Sequence, residues 1–321
     1  MKILRELRKL KNFNLIDFAV PIIDILCPVK YSPNGKYDNR YFFTCLIDLL
    51  DTGVSFNKYK GTHEFLIRGK YLNEIHNKYI KRGVYDQIQK EILTKYLKTD
   101  RESKLKYQII DSTFIANKQG SIKGNDHLLS NEEKHKNELI RKQNKYLPKN
   151  KQQRENHFID FNRYNGRKKY NKVDMKVDPY GIPLSVSISP SKRVDSKTLK
   201  DVLNSIPINL NTLRNSKINR YKQYVLLDSN YDTKKNHKLL KKKGYIPLIR
   251  YNKRNCRDPI KNAKRKFKGK EKKIYKKRPI IEISFSWLKN RPIINQNYEK
   301  TIPSYLGLFK LACIVLTSTR I

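Results

Sequence analysis

The spacing of apolar positions divides the chain into a helical N-terminal part and a part where short apolar runs alternate with helices. Over residues 1–100, apolar residues recur at helical spacing in TCLIDLLDTG, HEFLIRGKYLNEIHNKYIKRG and VYDQIQKEILTKYLK. The first two segments end in Gly53 and Gly83, and glycine commonly follows the last turn of a helix. We therefore predict three helices in this part of the chain.

Strand patterns follow from Lys104 onward. KLKYQIIDSTFI predicts a strand with Asp111 near its middle, and KVDMKVDPYGIPLSVSISPS predicts a hairpin that turns at residues 178–181. YKQYVLLDSNYDTKKNHKLLKKKGYIPLI predicts a strand that ends at Asp228, then a helix, a glycine stop and a second strand. This alternation of strands and helices predicts an α/β fold.

Several further segments are predicted to be helical. Residues 117–171 are a polar, basic insertion in which NEEKHKNELIRKQNKYL predicts a solvated helix. DSKTLKDVLNSI predicts a helix capped by Asp195 or Ser196, and Asp232 is the simplest cap for the helix after Asp228. The apolar stretch 305–316 is shorter than a membrane span and predicts a buried C-terminal helix.

Carboxylates within or directly after apolar strands are candidates for chemistry. An Asp in a strand is costly unless it has a partner, a metal ion or water beside it. Asp111 is therefore either a site residue or an edge-strand residue that faces water, and Asp228 lies where α/β folds build sites. Asp174 is a further candidate, whereas the turn explains Asp178 better.

The segment YKKRPIIEISFSWLK, residues 275–289, contains the third candidate carboxylate. Pro279 predicts the start of a helix, because proline is tolerated in the first turn. Glu282 then lies in the first turn, and Lys289 lies about two turns later on the same face. Judged by this pair alone, a solvated helix face is the simpler interpretation.

The charge of the chain restricts its partners. The formal net charge is +42, which predicts a polyanionic partner, with nucleic acid as the default and a membrane surface or rRNA as alternatives. From Lys253 to Arg278, 14 of 26 residues are Lys or Arg, which is typical of a solvated loop and also of a phosphate clamp.

The four cysteines form no C-x-x-C pair, so we expect no zinc site and a reducing, intracellular setting. The N-terminus is too charged for a secretory signal.

Four residues of the segment 275–289 carry a family resemblance. Tyr275, Arg278, Glu282 and Lys289 have the spacing of the Y-R-E-K signature, and the chain resembles DDE transposases of the type-four and type-five groups of insertion sequences. The triplet that begins at Asp111 resembles the first-aspartate motif of these enzymes. The second motif, usually D-K-G-Y-D, is DSNYD here from residue 228, so its loop departs from the family pattern.

The resemblance implies a fold and a domain arrangement. We expect an RNase H-like mixed sheet flanked by helices, with an N-terminal helical region. The implied boundaries are residues 1–100 for the helical region and 101–321 for the catalytic domain, with a basic insertion at about 117–171. Residues 54–84 resemble the helical region that precedes the catalytic domain in the type-five group. This region is either a DNA reader or a plain helical subdomain, and both interpretations stay open.

The resemblance also implies a reaction and its residues. We expect metal-dependent DNA strand cleavage and strand transfer at the ends of an insertion sequence, with two Mg²⁺ ions as cofactors and Mn²⁺ as a substitute. The expected catalytic residues and metal ligands are Asp111, Asp228 and Glu282, and the expected DNA contacts are Tyr275, Arg278 and Lys289. The expected partners are the element ends and the target DNA, bound by a homo-oligomer, with no membrane. The alternatives are a catalytically silent, domesticated DNA-binding protein and an RNase H-like nuclease.

Overall fold

The computed structural model describes residues 14–29, 37–62, 65–98, 100–161, 168–205, 207–208, 223–252, 267 and 269–321. The helices are α1 (Leu15–Leu26), α2 (Asn39–Thr52), α3 (Gly69–Lys81), α4 (Val84–Lys98), α5 (Arg101–Leu105), α6 (Asn131–Asn144), α7 (Asp195–Asn204), α8 (Lys234–Lys242), α9 (Gly269–Tyr275), α10 (Ile280–Lys289), α11 (Pro292–Asn295) and α12 (Ile302–Ser318). The strands are β1 (Gly61–Thr62), β2 (Phe65–Leu66), β3 (Tyr107–Asn117), β4 (Asp160–Phe161), β5 (Lys169–Val177), β6 (Pro183–Ser189), β7 (Tyr224–Leu227), β8 (Ile246–Ile249) and β9 (Gln296–Asn297).

The main sheet is mixed, and its long strands lie in the order β6-β5-β3-β7-β8. β5 is antiparallel to both of its long neighbours, β3 and β6, while β3, β7 and β8 are parallel to one another. The short strand β4 pairs with β5, and the short strand β9 pairs with β3. This order, with helices on both faces, confirms the predicted RNase H-like fold class. It also brings the first and fourth long strands together at the centre of the sheet.

The N-terminal helices belong to the largest hydrophobic cluster. This cluster joins buried residues of α1 to α4 with α10, α12 and one face of the sheet. Most of α12 is buried, and it packs against α4 and β6, which confirms the buried C-terminal helix. The contacts give the N-terminal helices a packing role, while their possible role as a DNA reader and the division at residue 100 stay predictions.

The three N-terminal helices match the prediction with one difference. α2 ends at Gly53, which has a φ of 70°, and α4 covers the whole predicted segment. Phe65 and Leu66 of the predicted helix form strand β2 instead, and α3 begins only at Gly69. The pairing of these two residues with β1 takes precedence over the short helical spacing of the apolar residues there.

The first strand starts later than predicted. Lys104 lies in the short helix α5, and β3 begins at Tyr107. The ammonium group of Lys104 donates to the carbonyl oxygen of Tyr96 at 2.6 Å and lies over the Tyr96 ring. These contacts hold the residue against α4, which explains why it does not extend the strand.

Both predicted caps near the sheet are wrong. The cap position of α7 is Val194, so Asp195 is the first helical residue and its side chain is free to contact other elements. Thr233 caps α8 through its hydroxyl, which accepts from the backbone N–H of Asn236. Asp232 instead accepts from the backbone N–H of Asn252 at 3.1 Å and pairs with His237.

The basic insertion contains ordered elements. α6 forms as predicted, with a capping box between Ser130 and Glu133 and a largely exposed surface. A small hydrophobic cluster attaches the insertion to the rest of the fold, and it consists of Leu129, Phe158, Ile159 and Ile302. The insertion is therefore joined to the start of α12 by apolar contacts, which its polar sequence did not indicate.

The turn of the predicted β5-β6 hairpin supports the start of α10. Asp178 accepts from the backbone N–H groups of Tyr180 and Ile182, each at 2.8 Å, which confirms its role in the turn. Gly181 has a φ of +82°, and a Cβ atom there would lie 2.7 Å from the Ser284 hydroxyl oxygen. The Ser284 hydroxyl donates to the Gly181 carbonyl at 2.9 Å, so the turn and the helix are in direct contact. A side chain at position 181 would therefore displace the helix that carries Glu282.

Among the described helices, none is long and apolar enough to cross a membrane.

Candidate active site

Asp111 lies in β3, and Asp228 directly follows the neighbouring parallel strand β7. Ile109 of β3 is paired with Leu226 of β7, and each aspartate follows this pair by two residues. In a parallel pair, residues the same distance beyond a matched pair stay level. The fold therefore brings the first two predicted carboxylates to one point at the centre of the sheet.

Asp111 is mostly buried and carries two hydrogen bonds. Its Oδ1 atom accepts from the backbone N–H of Ser112 at 2.9 Å, and its Oδ2 atom accepts from the Arg278 guanidinium at 2.6 Å. Burial raises the pKa of the Asp111 carboxyl, and the Arg278 charge opposes that rise. A cation that comes close to the Asp111 carboxylate therefore stabilises its ionised form.

Arg278 links the first aspartate to Glu282. It lies in the turn between α9 and α10, and its second terminal nitrogen is 3.7 Å from Glu282 Oε1. The side chain of Glu282 is 63% exposed, so it can turn without disturbing the core. The guanidinium thus lies against two of the three predicted carboxylates.

Tyr275 and Lys289 contact the two central strands. The Tyr275 hydroxyl donates to the carbonyl oxygen of Leu227 at 3.0 Å, directly before Asp228. Burial raises the pKa of Tyr275 to about 12, so the phenol keeps its proton at neutral pH. Lys289 donates to the Thr113 hydroxyl at 2.6 Å, and its burial lowers its pKa. α10 is therefore anchored to β3 at its C-terminal end, and Lys289 is not on a freely solvated face.

The three carboxylates are not gathered into a tight cluster. Within the described parts of the chain, no group of three or more His, Cys, Asp or Glu side chains is placed so that it could hold a metal ion. The donor set nevertheless fits Mg²⁺, which takes hard carboxylate oxygens and keeps several waters. A metal site shared by all three would require Glu282 to turn toward the aspartates and the Arg278 contacts to be exchanged.

Asp174, the fourth candidate, lies on the other side of the sheet. It is paired with Ser112, the neighbour of Asp111, so its side chain points to the face opposite Asp111. It is fully buried and accepts from the hydroxyls of Ser189 at 2.6 Å and Thr198 at 2.8 Å. Asp174 is therefore a structural carboxylate rather than part of the candidate site.

The buried Asp174 predicts a pH-dependent stability difference. Burial raises its pKa from 3.8 to about 6. Because the folded pKa exceeds the unfolded one, ionisation above pH 6 destabilises the fold, and the wild type regains stability as the pH falls toward 4. Asp174→Asn lacks this gain, so its stability relative to wild type should fall by about 2.4 kcal/mol between pH 7.5 and pH 4.

Urea unfolding at both pH values measures the difference, with Asp201→Asn as a partly exposed control in α7. If the Asp174→Asn and wild-type stabilities differ by the same amount at the two pH values, the carboxyl does not titrate as described.

The sequence did not assign two further residues to the candidate site. Arg250, just after β8, acts electrostatically on Tyr275 and adds a cation near the second aspartate. Asp195 contacts the strand residue that follows Asp111. The alternation of charged and apolar residues in KVDMKV is the sequence signal that indicates a polar layer behind the sheet. Of the basic run before Arg278, residues 253–266 and 268 lie outside the described residues.

The sequence profile of one protein family, the transposase DDE domain, matches residues 102–316. The chain therefore belongs to this family of transposases, which confirms the resemblance seen in its motifs. No curated protein matches the chain. Two solved structures are similar to it at 13% identity and a TM-score of 0.24, namely a Mos1 transposase paired-end complex with left transposon end and a pre-cleavage Mos1 transpososome. The alignments cover 90% and 91% of this chain and 82% and 81% of those chains. At that TM-score the superposition defines no residue correspondence.

Proposed function

We propose that the protein is a DNA transposase that cleaves strands at the ends of an insertion sequence and joins them to target DNA. The level placement of Asp111 and Asp228, with Arg278 joining Asp111 to Glu282, is the observation that supports this most. Asp111 lies in a strand, Asp228 directly after a strand and Glu282 in a helix. The sheet that holds them belongs to a chain of the transposase DDE family.

Asp111, Asp228 and Glu282 are the residues that would hold Mg²⁺, with two ions in the complete site and Mn²⁺ as a substitute. When bound, the ions would supply an activated water and neutralise charge on the leaving oxygen of the phosphodiester. The protein contributes the desolvation of Asp111, which strengthens its attraction for cations, and the packing of α10 on β3, from which Glu282 would turn toward the aspartates.

Arg278 and Lys289 would hold the phosphate at the cut. A guanidinium can bind a phosphate through two parallel donors, and Arg278 already donates one hydrogen bond to the Asp111 carboxylate at 2.6 Å. Lys289 lies at the other end of α10, beside Thr113. Tyr275 is hydrogen-bonded to Leu227, the last residue of β7, so it would set the position of the following Asp228 as well as contact DNA.

DNA is the proposed partner, both as element ends and as target. The net charge of +42 fits a polyphosphate, and the two similar Mos1 transposase structures are described as a complex with a transposon end and as a transpososome. We propose that the protein acts on DNA as a homo-oligomer, since joining two ends requires two bound ends.

An assay for cleavage and joining tests the proposal. The purified protein is incubated with a labelled duplex that carries the inverted repeats flanking its gene, together with a target plasmid and Mg²⁺ or Mn²⁺. We expect a nick that leaves a 3′-hydroxyl at the repeat boundary, followed by covalent joining to the plasmid. The control is a duplex of the same length with a scrambled repeat, which we expect to be neither cut nor joined.

The other outcomes separate the alternatives. Cleavage without joining would contradict the transposase proposal in favour of an RNase H-like nuclease. Tight binding with neither cleavage nor joining, in the presence of either metal, would indicate a silent, domesticated DNA-binding protein.

A further inference from the structure

A buried layer of charged residues lies behind the two aspartates. On β5, Lys172, Asp174 and Lys176 are 2%, 0% and 0% exposed and share the face that carries Ser112 rather than Asp111. Burying charges costs free energy unless each is paired or hydrogen-bonded. The fold therefore has to supply an ion-pair or hydrogen-bond partner for each charged residue of this layer.

Asp195 connects this layer to both aspartate-bearing segments. Its Oδ1 atom accepts from the Ser112 hydroxyl at 2.9 Å and from the Lys172 ammonium group. Its Oδ2 atom accepts from the side-chain amide of Asn230 at 3.2 Å. Ser112 directly follows Asp111, and Asn230 follows Asp228 by two residues. One carboxylate thus holds the chain just after each of the two predicted metal ligands.

The carboxylate of Asp195 has a fixed orientation. Lys172 is almost fully buried and also donates to the carbonyl oxygen of Arg193 at 2.7 Å, so it cannot move away from its place. With a donor on each oxygen and this cation beside it, Asp195 has little freedom to rotate. An acidic residue in the first turn of a helix is also expected simply to stabilise that helix. That role alone would require neither Ser112 nor Asn230.

We infer that Asp195 is a positioning residue for the proposed cleavage reaction. It holds the segments after Asp111 and Asp228 at a fixed separation, and Lys172 supplies the charge that keeps it in place. The inference rests on the proposed function, because it assigns Asp195 to the same site. Asp195 itself lies behind the sheet and acts through its neighbours.

Three variants test this role. Asp195→Asn keeps the shape of the side chain and removes the charge that Lys172 needs. Asn230→Ala removes only the link to the second aspartate, at an exposed position where folding is not at risk. Asp201→Asn is the matched control, because it removes an ion-paired carboxylate, bound to Arg193 at 2.7 Å, from the same helix.

Three measurements are made on each variant: kcat and KM for metal-dependent nicking, Mn²⁺ affinity of the DNA-free protein by electron paramagnetic resonance, and thermal unfolding. Loss of a residue that orients metal ligands typically costs about 10- to 100-fold in affinity or activity. We expect Asp195→Asn to lose about that much in both kcat and Mn²⁺ affinity, with an unchanged KM for DNA. Asn230→Ala should show a smaller loss of the same kind, and Asp201→Asn should match wild type.

The inference is overturned if folded Asp195→Asn keeps kcat and Mn²⁺ affinity within about twofold of Asp201→Asn, a ratio that corresponds to about 0.4 kcal/mol. If Asp195→Asn does not fold, unchanged values in Asn230→Ala overturn it instead. Should wild type cut no DNA with either metal, the proposed function fails, and the Mn²⁺ affinities still decide the role of Asp195.

Discussion

Asp111→Asn, Asp228→Asn and Glu282→Gln should each abolish metal-dependent strand cleavage while DNA binding is kept. We expect a loss of at least about 10³-fold in rate, which corresponds to about 4 kcal/mol of transition-state stabilisation. The reason is that each substitution removes a charged oxygen ligand from a site that the other two residues cannot complete. Single-turnover cleavage of a labelled repeat duplex measures the rate, and filter binding measures the affinity.

The triad prediction has a matched control in Asp86→Asn. Asp86 is an exposed carboxylate in α4 that pairs with Lys310, and its replacement should leave cleavage unchanged. Unfolding of each variant should remain close to wild type, because the amide replacements preserve the side-chain volume. A triad variant that folds and retains even a tenth of wild-type cleavage would remove that residue from the catalytic assignment.

Arg278→Ala should lower cleavage by about 10²- to 10³-fold, since it removes a preorganised cation from the point where phosphate charge develops. Arg278→Lys should recover only part of this loss, because lysine cannot reproduce the two parallel donors of a guanidinium. Lys289→Gln should cause a smaller loss, as its ammonium is a single point charge on the same helix. Cleavage rates under saturating DNA separate these effects from weaker binding.

A stability measurement separates the proposed phosphate contact of Arg278 from its structural contact with Asp111. Arg278 pairs with Asp111, so Arg278→Ala leaves a mostly buried carboxylate without its cation. The Asp111→Asn/Arg278→Ala double variant removes both charges and should be more stable than Arg278→Ala, although it stays inactive. If Arg278→Ala cleaves normally once the salt concentration is adjusted to restore binding, Arg278 contributes only affinity.

The central strands could be predicted from the sequence because their signals are local. The apolar run before Asp228 ends at Leu227, where β7 ends, and the turn residues 178–181 set the β5-β6 register. Pro279 likewise marked the start of α10, which begins at Ile280. In each case neighbouring residues decide the conformation, so that tertiary contacts only confirm it.

The features that the sequence did not predict depend on contacts between residues that are distant in the chain. Asp195 is not a cap, because Ser112, Lys172 and Asn230 offer its carboxylate better partners than its own helix does. Lys104 lies outside the strand, where its ammonium group contacts Tyr96 of α4. The contact between Arg278 and Asp111 joins residues 167 positions apart, which no local pattern encodes.

The residues of the candidate site stay a prediction from the sequence motifs, and their arrangement could not be predicted. The motif spacing named Asp111, Asp228 and Glu282, and the fold places the first two level with each other. The exposed position of Glu282 beside Arg278 was not foreseen. It places Glu282 Oε1 3.7 Å from the guanidinium of Arg278, which also binds Asp111.

A crystal structure of the protein bound to Mn²⁺ and to a repeat duplex, with anomalous scattering recorded from the manganese, tests the central claim most directly. We expect two manganese peaks roughly 3.5–4 Å apart. Asp111, Asp228 and Glu282 should coordinate them, and Arg278 should be turned from the carboxylates to a DNA phosphate. Manganese bound elsewhere, or Glu282 pointing away from the two aspartates in this complex, would contradict the assignment.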